Sequence, residues 1–154
     1  MSVSPDGGSS SDGEDEVVRP AGEAYDWYVR GQQLLAGGNP AAAAQLLRHA
    51  VDAEPGSRSA REALARAHFD AREYDEARAV FATIIAENPS DDYAHFGFGL
   101  AAFRSGDHRV AVEHLSLAVA MKPADHHYAT ALRAARVRLE VEERRDDGIG
   151  YEQP

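Results

Sequence analysis

Pro55, Pro89 and Pro123 sit in the near-identical phrases DAEPGS, AENPSD and AMKPAD, each 34 residues from the next. An equal step taken twice is the mark of a repeat architecture, in which each unit is one small supersecondary element that buries its apolar face against its neighbours. Registered on these prolines, blocks 24–57, 58–91 and 92–125 align without a gap. The eighth position reads Gly31, Ala65, Gly99, and the twentieth Ala43, Ala77, Ala111. The twenty-fourth reads Leu47, Phe81, Leu115, the twenty-seventh Ala50, Ile84, Ala118, and the last Ser57, Asp91, Asp125.

Small residues at two fixed places let two helices approach closely, and a large apolar residue fills the space beside them. Proline lacks an N–H and ends the second helix of each block. The Ser or Asp two residues later can accept from the free N–H groups of the next helix. Turns are expected at GGNP (37–40), REYD (72–75) and SGDH (105–108), with Asn39 and Asp107 as N-caps and Pro40 at a first helical position. Each block therefore reads as helix, turn, helix.

This pattern resembles the tetratricopeptide repeat, a 34-residue helical hairpin. The first block matches the family with Trp27, Gly31, Ala43, Ala50 and Pro55, and departs at Arg30 and Leu34. The second matches with Leu64, Ala77, Phe81 and Pro89, with Arg61 and His68 in place of family aromatics; the third matches with Gly99, Ala111, Ala118 and Pro123, with His95 at its fourth position. The resemblance implies an all-α, right-handed superhelix of three hairpins. After Pro123, Tyr128, Ala131, Leu132, Ala135, Leu139 and Val141 can form the inner stripe of an amphipathic closing helix, the seventh. The expected layout is a disordered acidic leader at 1–23, three repeats at 24–57, 58–91 and 92–125, a capping helix at 126–145 and a flexible tail at 146–154.

The net charge is −10, and residues 1–23 hold six acids against one Arg. Such a surface repels nucleic-acid backbones and anionic lipid, which disfavours both as partners. The chain has no cysteine, which excludes disulfides and thiolate metal sites. No apolar run spans a bilayer and the first residues lack the pattern of a signal peptide, so the expected setting is the cytoplasm. Arg outnumbers Lys fifteen to one, a bias that suggests a GC-rich bacterial genome, actinobacterial by expectation.

Seven histidines raise the question of metal or catalysis. Their positions lack a ligand spacing, and His95 reads as a packing residue. Acid pairs such as Asp75-Glu76 lie at helix starts, where they suit the helix dipole. GGNP lacks the Lys-Ser/Thr of a phosphate loop, and no serine sits in a nucleophile elbow. The expectation is a non-enzymatic protein with no cofactor and no metal.

The family resemblance implies a concave face lined by the first helix of each repeat. Its groove positions hold Tyr25, Tyr28, Val29, Gln32, Leu35 and Ala36, then Ser59, Glu62, Ala63, Arg66, Phe69 and Asp70, then Tyr93, Phe96, Gly97, Leu100, Phe103 and Arg104. Among them Tyr25, Tyr28, Gln32, Leu35, Glu62, Arg66, Phe69, Tyr93, Phe96, Leu100, Phe103 and Arg104 are the candidate partner-binding residues. Arg66 and Arg104 are expected to meet an acid of the ligand, and Glu62 and Asp70 a base. A packing role for the aromatics competes with this reading, most of all for Phe69 and Phe103. The family's basic clamp for a chaperone C-terminus is missing, since its positions hold Tyr28, Gln32, Ala63, Tyr93 and Gly97. The implied function is an adaptor, scaffold or assembly factor that binds an apolar or aromatic-bearing peptide of another protein. The alternatives are a homodimer, a regulatory subunit, or a groove occupied by IGYEQP or VVRP of the same chain.

Overall fold

The computed structural model describes the backbone of residues 11–151 and the side chains of 22–148. Among the described residues the chain is all helix and turn. Its elements are α1 (Ser11–Ala36), α2 (Pro40–Ala53), α3 (Arg58–Asp70), α4 (Tyr74–Glu87), α5 (Asp92–Arg104), α6 (His108–Met121) and α7 (His126–Tyr151). Each helix packs on the next, and α1, α3, α5 and α7 also touch in sequence. This is a stack of three hairpins closed by one helix.

Repeat boundaries follow the local chemistry. Ser57 accepts from the amide of Ala60 at 3.2 Å, Asp91 from Ala94 at 3.0 Å and Asp125 from Tyr128 at 3.2 Å. Each of these side chains satisfies an N–H that has no partner inside the helix. Asp107 caps α6 through Val110 at 3.4 Å. Asn39 makes no side-chain cap. Its own amide instead closes the preceding turn on the carbonyl of Leu34 at 2.8 Å, with Pro40 opening α2.

The core follows the register. Leu47, Phe81 and Leu115 are fully or almost fully buried, as are Ala43, Ala77 and Ala111. A Cβ added to Gly31 would lie 2.5 Å from Leu47 Cγ, and one on Gly99 would lie 2.7 Å from Leu115 Cγ. The small eighth residue is thus the seat of the large twenty-fourth. The second repeat departs from this: Ala65 replaces glycine, and the larger ring of Phe81 tips onto the next repeat. A Cβ on Gly97 would meet Phe81 Cζ at 2.2 Å.

Two helices outrun the expected boundaries. α1 begins at Ser11, not near Ala24, and α7 continues to Tyr151, beyond the expected end at 145. A helix anchored by tertiary packing extends cheaply, because each added residue costs less than nucleation. Residues 1–10 of the leader and 152–154 of the tail lie outside the described residues, as do the side chains of VVRP. In α7, Tyr128, Leu132 and Ala135 are buried while Val141 is 43 % exposed. Beyond Ala135 the inward side continues through half-buried Leu139 and Glu142, whose carboxylate lies 2.6 Å from Nδ1 of buried His108. No helix of the described residues is long and apolar enough to cross a membrane.

Candidate binding groove

Helices α1, α3 and α5 stand side by side, and their outward residues line two hollows. The first, about 270 Å³, lies between α1 and α3 and is lined by Ala24, Tyr25, Tyr28, Ala50, Glu54, Ser57, Ser59 and Ala60. The second, about 210 Å³, lies between α3 and α5. Arg66, Phe69 and Asp70 form one wall and Tyr93, Phe96, Gly97 and Leu100 the other, with Phe81 below. Five of the residues proposed from sequence, Arg66, Phe69, Tyr93, Phe96 and Leu100, therefore converge on one hollow. Tyr25 and Tyr28 belong to the other. Gln32, Leu35, Glu62, Phe103 and Arg104 line neither.

The aromatics are divided between packing and exposure. Tyr25 is 68 % exposed. Tyr28, Phe69, Tyr93, Phe96, Leu100 and Phe103 are each half-buried. The ring of Phe96 stacks on Tyr128 of the closing helix with centroids 4.5 Å apart, so one of its faces is already covered. Phe69 meets Tyr74 edge-on at 5.3 Å, and the Arg104 guanidinium covers it at 5.6 Å. Tyr93 lies between Phe81 and Phe96, at 6.2 and 6.3 Å. Burial holds its phenol above the usual tyrosine range, with the charges of Arg66, Glu62, Asp70 and Arg58 acting in both directions. Gly97 presents no open floor, because the Phe81 ring rests against its backbone.

Several charges expected to face a ligand are engaged within the protein. Glu62 forms an ion pair with Arg58. Arg58 also forks onto Asp91, Nε to Oδ2 at 2.6 Å and a terminal nitrogen to Oδ1 at 2.9 Å. That hydrogen-bonded pairing is the main cause that lowers the Asp91 carboxyl below its ordinary range, against the opposing effect of burial. Arg104 donates to the Tyr74 hydroxyl at 3.4 Å in addition to covering Phe69. The Gln32 amide donates to the Tyr28 hydroxyl at 3.0 Å.

Contacts between the two helices of one repeat account for further residues. His95 and His114 stack with centroids 5.2 Å apart and Nδ1 atoms 3.0 Å apart. His95 Nε2 lies 2.8 Å from the Pro89 carbonyl, which only accepts, so Nε2 carries the proton. Its Nδ1 then accepts from Nδ1–H of His114. Among the described residues no three His, Asp or Glu side chains gather to hold a metal ion. Arg61 occupies the fourth position of its repeat, buried, donating to the Thr83 carbonyl at 3.2 Å and paired with Glu87. Val137 was not singled out from sequence, yet it is 55 % exposed. It lies 34 residues beyond Phe103, so the period alone places it in the row of Leu35, Phe69 and Phe103.

The sequence profile described as tetratricopeptide repeat matches residues 34–102. No curated protein matches the sequence. Among solved structures, the first TPR domain of human RPAP3 is similar with a TM-score of 0.73 at 20 % identity, over 79 % of this chain and 96 % of that one. The first TPR of Spaghetti (RPAP3), bound to the HSP90 peptide SRMEEVD, gives 0.72 at 19 % identity, over 77 % and 94 %. MamA, residues 41 to the end, from Desulfovibrio magneticus RS-1 gives 0.72 at 20 % identity, over 82 % and 72 %.

Proposed function

This chain carries a tetratricopeptide-repeat domain, and from that premise we propose that it is a non-enzymatic protein-interaction module, an adaptor or assembly factor. It holds a peptide segment of a partner protein across α1, α3 and α5. The observation that carries this reading is the hollow between α3 and α5, where Phe69, Tyr93 and Leu100 are left only half-buried by the fold. Partly exposed aromatic surface gains most by excluding water beneath a partner's side chain. An extended or helical segment is the ligand form such a groove accepts. The RPAP3 domain bound to an HSP90 peptide supports peptide capture as a use of this fold. A repeat scaffold hosts many functions, so the side chains of the site decide which.

Photo-crosslinking tests the placement. A photoreactive residue at the exposed positions Tyr25 or Arg66 should trap a partner from the source lysate, and one at exposed Gln45 on α2 should not. Equal trapping from all three positions would remove the groove from consideration.

A second reading is a homodimer through the closing helix. Exposed Val137 and Val141, one turn apart on α7, favour it. Sedimentation at several concentrations separates a monomeric adaptor from this dimer.

A further inference from the structure

We propose that the hollow between α3 and α5 recognises an apolar side chain together with a neighbouring acidic side chain, within an internal segment of the partner. This rests on the groove reading above and adds the chemistry of the ligand.

The inference comes from which polar groups the fold leaves unengaged. Of the charges along α3 and α5 that face the groove, Glu62 is held by Arg58, and Arg58 is also forked onto Asp91. Arg104 lies over Phe69 and donates to Tyr74. Arg66 and Asp70 remain, and among the described residues neither enters an ion pair or a side-chain hydrogen bond. The Tyr93 hydroxyl likewise has no hydrogen-bond partner among the described residues. Arg66 and Tyr93 lie on facing walls of the same hollow. Both present donors there, and a carboxylate is the group that accepts from a guanidinium and a phenol together. Between them half-buried Phe69 and Leu100 offer apolar surface that an aliphatic side chain would dehydrate.

Asp70 supplies direction. It lies four residues beyond Arg66 on α3, about 6 Å along the axis. It repels an acid at its end of the hollow and favours a base. Apolar surface also continues on both sides, to Tyr28 on α1 and to Phe103 on α5 and exposed Val137 on α7. A bound segment therefore passes through the hollow, and its acid is a side chain.

The test uses end-blocked, fluorescently labelled peptides with a central Leu flanked by Glu on one side and Lys on the other. Companion peptides carry Glu→Gln, Leu→Ala, or the flanks exchanged. Each is titrated into the wild-type chain and Arg66→Gln by anisotropy, and contact is mapped by NMR at Tyr93 and Leu100. In the wild type, Glu→Gln should weaken binding about tenfold, or ~1.4 kcal/mol, and exchanging the flanks should weaken it further. Arg66→Gln should erase the Glu/Gln difference and keep the Leu/Ala difference. Arg66 is exposed, so that variant keeps the fold, and an unchanged melting curve checks this. If Tyr93 and Leu100 respond but the Glu/Gln ratio is one, or survives Arg66→Gln, the acidic preference is wrong and the groove reading stands. If no peptide perturbs Tyr93 or Leu100, both fall.

Discussion

Positions 38, 72 and 106 hold the same place in the three turns, and only the second is not glycine. Gly38 and Gly106 have φ of 81° and 88°, and Arg72 has φ of 64°. A side chain in this left-handed region costs about 1–2 kcal/mol. Glycine removes that cost but gains freedom in the unfolded chain. Arg72→Gly should therefore stabilise by about 0.5–1 kcal/mol and raise the melting temperature by about 2–3 °C. A calorimetric scan showing a lower melting temperature would mean that Arg72 makes a compensating contact. At Gly97 the expected sign is opposite. Gly97→Ala drives a methyl into the Phe81 ring, and overpacking of this kind costs about 1–3 kcal/mol. Phe81→Leu is destabilising alone because it opens a cavity. In the double variant the two defects should cancel in part, so the denaturant midpoint should fall by less than the sum of the single changes. Strict additivity would sever the two sites.

Within the α5–α6 hairpin, the paired imidazoles make helix packing depend on pH. Burial lowers the His114 pKa, with His95 and Arg78 acting in the same direction and Glu113 against it. The unfolded chain takes up a proton at about pH 6.5, and the folded chain resists it. The hairpin's full stability is thus present above that value and declines as pH falls below it. Melting temperatures at pH 7.5 and 5.5 should differ more for the wild type than for His114→Gln, which keeps a donor toward His95. Asp91 responds in a lower window, because its depressed carboxyl stabilises above about pH 4 and loses that contribution as it protonates. Much at this scale was legible in the sequence. Proline placement and the Ser57, Asp91 and Asp125 caps depend on neighbours a few residues away, so the period exposes them. The engagement of Glu62, Arg58 and Arg104 was not, because their partners come from other turns and repeats. Arg58 and Asp91 are 33 residues apart, and whether they meet is decided by how two hairpins pack. The stacking of Phe96 on Tyr128 was hidden for the same reason.

The whole stack is tied more tightly at one end than at the other. Arg78–Asp107 bridges the second and third repeats, and Arg58 on α3 is paired with Asp91, the residue that caps α5. Tyr128 donates to Asp92 at 2.7 Å, and His108–Glu142 and Arg109–Glu143 join the third repeat to the closing helix. Among the described residues the first and second repeats share no such bridge between side chains, and beyond the Ser57 cap on α3 they are joined by apolar packing. Repeat stacks open at the weakest interface first. Hydrogen exchange should accordingly report lower opening free energies for α2 than for α5 and α6, and uniform values would show a single cooperative unit. The ring of Phe81 against Gly97 bears on the order of these units. The sixth position of a repeat holds Val29 in the first, Ala63 in the second and glycine only in the third. A duplicated second repeat would set Ala63 under its own predecessor's phenylalanine, and a first repeat moved behind the second would set Val29 there. Look-alike segments of this chain are therefore not interchangeable bricks: whichever repeat follows the second has to bring a glycine at its sixth position.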